Sequence, residues 1–320
     1  GWPVLADPLS GARRGPHAVS TYDALLRSPA AAAALRPEVV LRLGAPLTGK
    51  VGASWVDTSP VQILVDPDGA WLDPHRSASE RVVADPTALL DAVSARGPAR
   101  TTSFWLTSWL EAEAAARTAL DALLDSWAEP FEGRVARDLV AGLPGGATLV
   151  VGSSMPVRDV ESFAPPRAGL RILANRGVNG IDGFVSTVLG VAGAGAGPVV
   201  GLCGDLTFLH DAGGLLGAGR RARSATFVVV DNDGGGIFNF LPQAGGEHFE
   251  ELFATPQGVD LAQLAAVHGI GSERVAEADG LLPAVGRAIA AGGVRLVVVP
   301  TDRADNVDRH RRAWAAVSLP

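Results

Sequence analysis

The chain has 320 residues and a mass of 32.8 kDa, enough for two domains with hydrophobic cores of their own. Apolar residues make up 47% and charged residues 19%, which excludes a disordered chain, while a net charge of −7 and a pI near 5.4 exclude a nucleic-acid backbone or an anionic membrane surface as the main partner. A single cysteine, Cys203, rules out an internal disulfide framework and a cysteine-clustered zinc site, and fits the reducing cytoplasm.

The opening Gly1-Trp2-Pro3-Val4-Leu5-Ala6, with Met155 the only methionine, reads as a chain entered partway through a domain. It shows no basic segment followed by an apolar core, the mark of a secretory signal, and no apolar run is long enough for a membrane span. Ser20 to Leu35 predicts a helix with a Ser/Thr cap region, Glu38–Leu43 and Val61–Val65 predict strands, and Pro86–Ala95 predicts a helix with proline in its first turn. A long helix follows from about Ser103 to Trp127, within a run of leading helices over 103–143. We set the domain boundary just before it, giving domains 1–98 and 99–320.

From Ala147 the β-branched runs return: Thr148–Val151, Arg171–Leu173, Pro198–Leu202, Thr226–Val230 and Val294–Val299. Five strands with helical patterns between them predict an open, doubly wound, mostly parallel sheet, and the fold class is α/β with two such domains. The Gly193–Gly197 stretch is expected to be a loop. It precedes a strand instead of following one, so it is not a dinucleotide fingerprint.

Ligands bind beyond the carboxyl ends of such strands. After Leu202 come Gly204-Asp205-Leu206, and after Val230 come Asp231-Asn232-Asp233-Gly234-Gly235-Gly236-Ile237-Phe238. Asp205 and Asn232 are 27 residues apart, one strand–helix–strand step, so both reach one sheet edge. A carboxylate, an amide oxygen and a backbone carbonyl are the hard oxygen ligands that suit Mg²⁺, and the glycines let backbone amides approach a phosphate. Each string alone is an ordinary turn sequence; together, at one-crossover spacing, they form a candidate diphosphate-plus-metal site. Gly44–Lys50 fits a phosphate-loop consensus, but Val51 stands where Ser or Thr must reach the metal, so Lys50 is expected at a substrate entry or simply exposed. The six histidines show no metal-ligand spacing.

Gly204-Asp205, the 27-residue step and Asn232 resemble the thiamine diphosphate motif of decarboxylases and acetolactate synthases. The longer strings Gly204–Asp211, Asn175–Gly183 and Gly235–Pro242, with Gly1-Trp2-Pro3 and Leu47-Thr48-Gly49-Lys50, resemble the 2-succinyl-5-enolpyruvyl-6-hydroxy-3-cyclohexene-1-carboxylate synthases of menaquinone biosynthesis. The resemblance implies a central domain and a diphosphate-binding domain. The family's N-terminal pyrimidine-binding domain, with the glutamate that activates the cofactor, is then expected outside this sequence.

It further implies thiamine diphosphate with Mg²⁺ (or Mn²⁺) as cofactors, Asp205 and Asn232 as metal ligands through side chains and Gly234 through its carbonyl, with Gly204, Leu206 and Gly235 lining the diphosphate. Asp231 departs from the second asparagine of many relatives. Ile181 matches the apolar wedge that keeps the cofactor folded, and Ile237 and Phe238 match apolar walls. Ser154, Arg158 and Arg176 match positions that hold substrate carboxylates, which suits arginine's bidentate grip.

The family decarboxylates 2-oxoglutarate and adds the remaining four-carbon unit in conjugate fashion to isochorismate. It works as a homodimer or homotetramer in the cytoplasm, with small-molecule substrates and no nucleic-acid or membrane partner. Two alternatives stand beside this: another thiamine diphosphate carboligase or decarboxylase, or a catalytically incomplete cofactor-binding fragment.

Overall fold

The computed structural model describes residues 1–70, 72–97, 103–178, 180–195, 197–218 and 223–317. The expected boundary between residues 98 and 99 lies outside the described residues.

Two small sheets come first, both parallel. Strands β1 (Val4–Leu5) and β2 (Ala18–Val19) pair with each other, and β3 (Val39–Leu43), β4 (Val61–Val65) and β5 (Glu80–Val82) form a three-stranded sheet in that order. The single helix expected over Ser20–Leu35 is instead two short ones, Tyr22–Leu25 and Pro29–Ala34. Pro29 has no N–H to continue a helix, and Ser28 caps the new one by accepting from the Ala31 N–H at 3.3 Å. Asp85 caps the helix Pro86–Arg96 in the same way, accepting from the Ala88 N–H at 2.9 Å.

The large sheet is built from β6 (Thr148–Val151), β7 (Arg171–Ala174), β8 (Val199–Gly204), β9 (Ala225–Asp231), β10 (Gly271–Arg274) and β11 (Val294–Pro300). Its order is β10-β11-β9-β8-β6-β7 and every pairing is parallel. It therefore has six strands where the sequence suggested five; β10 is a short polar edge strand, exposed along most of its length, with no apolar alternation to announce it.

Alternate residues of the inner strands enter two separate cores. Leu149, Val151, Val200, Leu202, Val228, Val230, Val297 and Val299 pack on one face against the helices Glu132–Gly142, Met155–Phe163 and Leu281–Ala291. Val150, Val199, Cys203, Phe227, Val229 and Val298 pack on the other against Phe184–Ala194, Asp205–His210 and Leu261–Val267. Burial on both faces is why these strands read as unbroken apolar runs. The helix Phe184–Ala194 takes in Gly193 and Ala194, so the loop expected over Gly193–Gly197 begins only at Gly195; Ala196 lies outside the described residues.

The helix Phe104–Asp125, capped by Ser103, joins the two parts of the chain. Its start puts Trp109 edge-on to Trp55 at 5.6 Å in a core with Tyr22 and Val19, and its end puts Leu120 and Leu124 in a core with Phe131, Phe163 and Ala313. Among the described residues, no helix is long and apolar enough to cross a membrane.

Candidate functional site

In the large sheet the chain steps from β6 outward to β7, then returns past β6 to β8 and continues to β9. The reversal makes β6 and β8 neighbours at a topological switch point, where open α/β sheets leave a crevice beyond the carboxyl ends of their strands. Ser153, Ser154 and Arg158 follow β6, Arg176 follows β7, Gly204 ends β8 ahead of Asp205 and Leu206, and Asn232 to Phe238 follow β9. The polar candidates thus converge on the carboxyl ends of four consecutive strands, in the order β9-β8-β6-β7.

Asp205 is buried, at 5% exposure, as the first residue of the helix Asp205–His210. Its Oδ2 accepts from the Gly234 N–H at 2.8 Å and its Oδ1 from the Leu206 N–H at 2.7 Å. Burial first, and then the carboxylates of Asp231 and Asp233, push its pKa up to about 6. Asp231, which ends β9, is likewise raised by burial. No arginine or lysine pairs with Asp205 among the described residues, so the local excess of negative charge is complementary to a cation.

Asn232 turns its amide so that Nδ2 donates to Glu132 Oε1 at 2.7 Å, while its Oδ1 is buried without a partner. A buried amide oxygen left empty costs about 1–3 kcal/mol unless something outside the chain satisfies it. Beyond it, Gly234 has φ +148, a conformation open essentially to glycine, and a Cβ there would lie 2.5 Å from the Ala254 carbonyl oxygen. The Gly235 N–H donates to that same carbonyl at 2.7 Å, and the Gly236 N–H closes back on the Gly234 carbonyl at 2.9 Å. Ile237 and Phe238 are half-buried in the short helical turn Gly236–Phe240, with Phe238 edge-on to Phe253 at 5.7 Å.

On the β6 side, Ser154 opens the helix Met155–Phe163. One turn on, Arg158 Nη1 donates back to the carbonyls of Ser153 at 3.0 Å and Ser154 at 2.8 Å. Arg176 Nη1 reaches the Ser153 carbonyl from β7 at 3.5 Å. Burial, and next the Arg176 cation, hold the Arg158 guanidinium below its ordinary range. Two arginines meeting at one carbonyl, neither in an ion pair among the described residues, leave donor capacity for an added carboxylate. Ile181 stands half-buried on the turn ahead of the helix Phe184–Ala194 and takes no part in these hydrogen bonds. Lys50 is exposed, at the start of the helix Lys50–Val56 beside the three-stranded sheet. Asn179, part of the Asn175–Gly183 string, lies outside the described residues.

Sequence reasoning missed Glu132. It is the first residue of the helix Glu132–Gly142, only 4% exposed, and its Oε1 accepts from both Asn232 Nδ2 and Thr301 Oγ1, the latter at 3.2 Å. Burial, and then the Asp159 carboxylate, push its pKa up to about 7. Asp159 itself pairs with the buried His310 at 2.8 Å. A separate cavity of about 300 Å³ lies between the segment Pro8–Arg14 and β7 and shares no residue with this site.

Residues 1–151 match the family described as "middle domain of thiamine pyrophosphate", and residues 160–299 match "thiamine pyrophosphate enzyme, C-terminal TPP binding domain". The chain belongs to the thiamine pyrophosphate enzymes. It is similar to 2-succinyl-5-enolpyruvyl-6-hydroxy-3-cyclohexene-1-carboxylate synthases: 46% identical to that of Myxococcus xanthus (strain DK1622), over 99% of this chain and 55% of the relative. Those of Chloroflexus aurantiacus and Thermobifida fusca (strain YX) are each 44% identical over 99% of this chain and 56% of theirs. The chain spans about half the length of the curated relatives it matches.

As a thiamine pyrophosphate enzyme it takes thiamine diphosphate (thiamine pyrophosphate) as cofactor, and the residues after β8 and β9 fit that group. Gly234 and Gly235 let the turn after β9 lie close against the Phe253–Ala254 backbone, where added Cβ atoms would meet carbonyl oxygens at 2.5 and 2.7 Å, so the turn is held in one conformation at the strand end. The donor set of one carboxylate, one unpartnered amide oxygen and a backbone carbonyl can hold Mg²⁺ beside it. Bound thiamine diphosphate supplies the electron sink for breaking and making carbon–carbon bonds beside a carbonyl.

Proposed function

We propose that this chain carries the cofactor- and substrate-binding part of a 2-succinyl-5-enolpyruvyl-6-hydroxy-3-cyclohexene-1-carboxylate synthase, a transferase that decarboxylates 2-oxoglutarate and joins the remaining four carbons to isochorismate in menaquinone biosynthesis. The observation that carries this reading is the convergence of Arg158 and Arg176 on the Ser153 carbonyl, next to the strand ends bearing Asp205 and Asn232. Both substrates are dicarboxylates, and a pair of guanidiniums beside the cofactor site suits them better than it suits pyruvate.

In this reading Asp205, Asn232 and the Gly234 carbonyl hold Mg²⁺, with Mn²⁺ as a substitute, and Gly204, Leu206 and Gly235 border the diphosphate. Ile181 supports the bent cofactor, Ile237 and Phe238 wall the site, and Ser154, Arg158 and Arg176 orient substrate carboxylates. Orientation is the protein's main contribution: fixing the carboxylate ends sets which carbon faces the cofactor, and the apolar walls keep water away.

The active site is completed by another subunit, in a homodimer or homotetramer. Exposed Val178, Leu216, Leu241 and Leu252 support this, since all lie in segments following the carboxyl ends of β7, β8 and β9. We place the protein in the cytoplasm, where its one cysteine, buried Cys203, stays reduced.

The test is turnover by the protein from its source with Mg²⁺ and thiamine diphosphate. Consumption of 2-oxoglutarate that depends on isochorismate, with little turnover of pyruvate, is expected, and Arg176→Ala should raise the 2-oxoglutarate KM by about tenfold or more. Equal use of pyruvate would assign the chain to another carboligase. Tight cofactor binding without any decarboxylation would leave a binding unit only.

A further inference from the structure

We propose that Glu132 is a positioning residue for the divalent cation, holding the Asn232 amide so that its oxygen, and not its nitrogen, faces the metal. The proposal rests on the reading of Asn232 as a ligand. An amide has two nearly isosteric ends, and only the oxygen can bind a cation. Rotating Asn232 by half a turn would present two N–H donors to the metal and set an oxygen 2.7 Å from the Glu132 carboxyl oxygen, acceptor against acceptor. Glu132 therefore selects the productive orientation, and Asn232 Oδ1 is indeed the end left buried without a partner.

The selector is itself fixed in place. Glu132 begins its helix immediately after Phe131, whose ring is edge-on to Trp127 at 5.2 Å, to Phe163 at 5.4 Å and to His310 at 4.8 Å. A Cβ at the next residue, Gly133, would lie 2.5 Å from the Phe163 ring, so the start of this helix cannot slide. Thr301 Oγ1 donates to the same Glu132 oxygen, and the Thr301 N–H donates to the Asp231 carbonyl at 3.0 Å, one residue before Asn232. Outer partners of metal ligands act in this manner, and losing them typically costs 10–100-fold in metal affinity.

The experiment is titration of the full chain with Mn²⁺ in the presence of thiamine diphosphate, free Mn²⁺ being read by electron paramagnetic resonance. Glu132→Leu, which removes the acceptor, is expected to weaken Mn²⁺ binding by about tenfold or more. Glu132→Gln, which keeps an amide oxygen able to accept from Asn232, should stay within a few-fold of the parent.

Glu132→Ala gives a second acceptor-free variant should Glu132→Leu fail to fold, and is expected to behave alike. Asn232→Asp tests the orienting role itself: its carboxylate offers oxygen to the cation whichever way it turns, so adding Glu132→Leu or Glu132→Ala to it should leave Mn²⁺ affinity within a few-fold. Unchanged affinity in Glu132→Leu or Glu132→Ala, or the same tenfold loss when either is added to Asn232→Asp, overturns the proposal. Asn232→Ala separates the two levels. If it too leaves Mn²⁺ affinity unchanged, the ligand reading itself fails; if it weakens binding while Glu132→Leu does not, only the positioning role fails.

Discussion

Gly234 donates its backbone N–H to Asp205 Oδ2 at 2.8 Å, tying the turn after β9 to the first residue beyond β8. The two strands run side by side, with Gly204 opposite Val230, so this bond closes the mouth between them and fixes the carboxylate in one rotamer. With the carboxyl group buried beside Asp231 and Asp233, a cation is the natural partner for it.

Asp205→Ala should abolish Mg²⁺-dependent binding of thiamine diphosphate. Calorimetric titration with and without Mg²⁺ checks this, and affinity equal to the parent would sink the assignment of Asp205.

Gly234→Ala should lose cofactor binding and cost about 1–3 kcal/mol of stability, because alanine is strained at φ +148 and its Cβ would meet the Ala254 carbonyl oxygen at 2.5 Å. Gly145→Ala is the control, since an added Cβ there meets nothing within 4 Å. Urea unfolding and cofactor titration of both variants compare them; equal behaviour would mean that the turn after β9 yields freely.

Stability should fall as pH rises through neutrality because of Glu161. Its carboxyl is 1% exposed and accepts from the Tyr22 hydroxyl at 2.5 Å, and burial lifts its pKa from the ordinary 4.5 to about 7. Between those values the folded chain keeps a proton that the unfolded chain releases. The contribution is therefore complete below pH 4.5 and lost as pH climbs through 7, on the order of 3 kcal/mol in all. Glu161→Gln should flatten this part of the profile when unfolding free energies are compared at pH 5 and pH 8; an unaltered slope would remove Glu161 as its source.

Trp109→Ala should destabilise the chain by about 3–5 kcal/mol. The ring is fully buried and lies edge-on to both Trp55 and Trp105, at 5.6 and 6.4 Å. Thermal unfolding measures the loss, and a shift of the midpoint by less than about one degree would show that the cavity collapses without cost.

The strands that carry the site were readable because both their faces are buried: Val199–Gly204 has no charged or hydroxyl residue, Ala225–Asp231 is apolar over Phe227–Val230, and Asp205 and Asn232 follow them directly. Two of the edge strands offer no such contrast. Glu80–Val82 and Gly271–Arg274 are largely polar and exposed, so composition alone gives turns there. The break at Ser28-Pro29 is local chemistry, a proline that cannot continue a helix after a serine that caps a new one, inside a stretch whose composition is helical on both sides. Glu132 was invisible for another reason. In Glu132-Gly133-Arg134 it looks like one more charge on a solvated helix, and only the approach of Asn232 and Thr301 from distant strands reveals an interior carboxyl.

The helix Phe104–Asp125 runs through two cores without interruption. Such a shared beam couples their melting: exposing Trp109 at one end frees the segment that seats Leu120 and Leu124 at the other. Loosening at either end of this helix is therefore expected to reach the other, so that its amides 104–125 should lose hydrogen-exchange protection together.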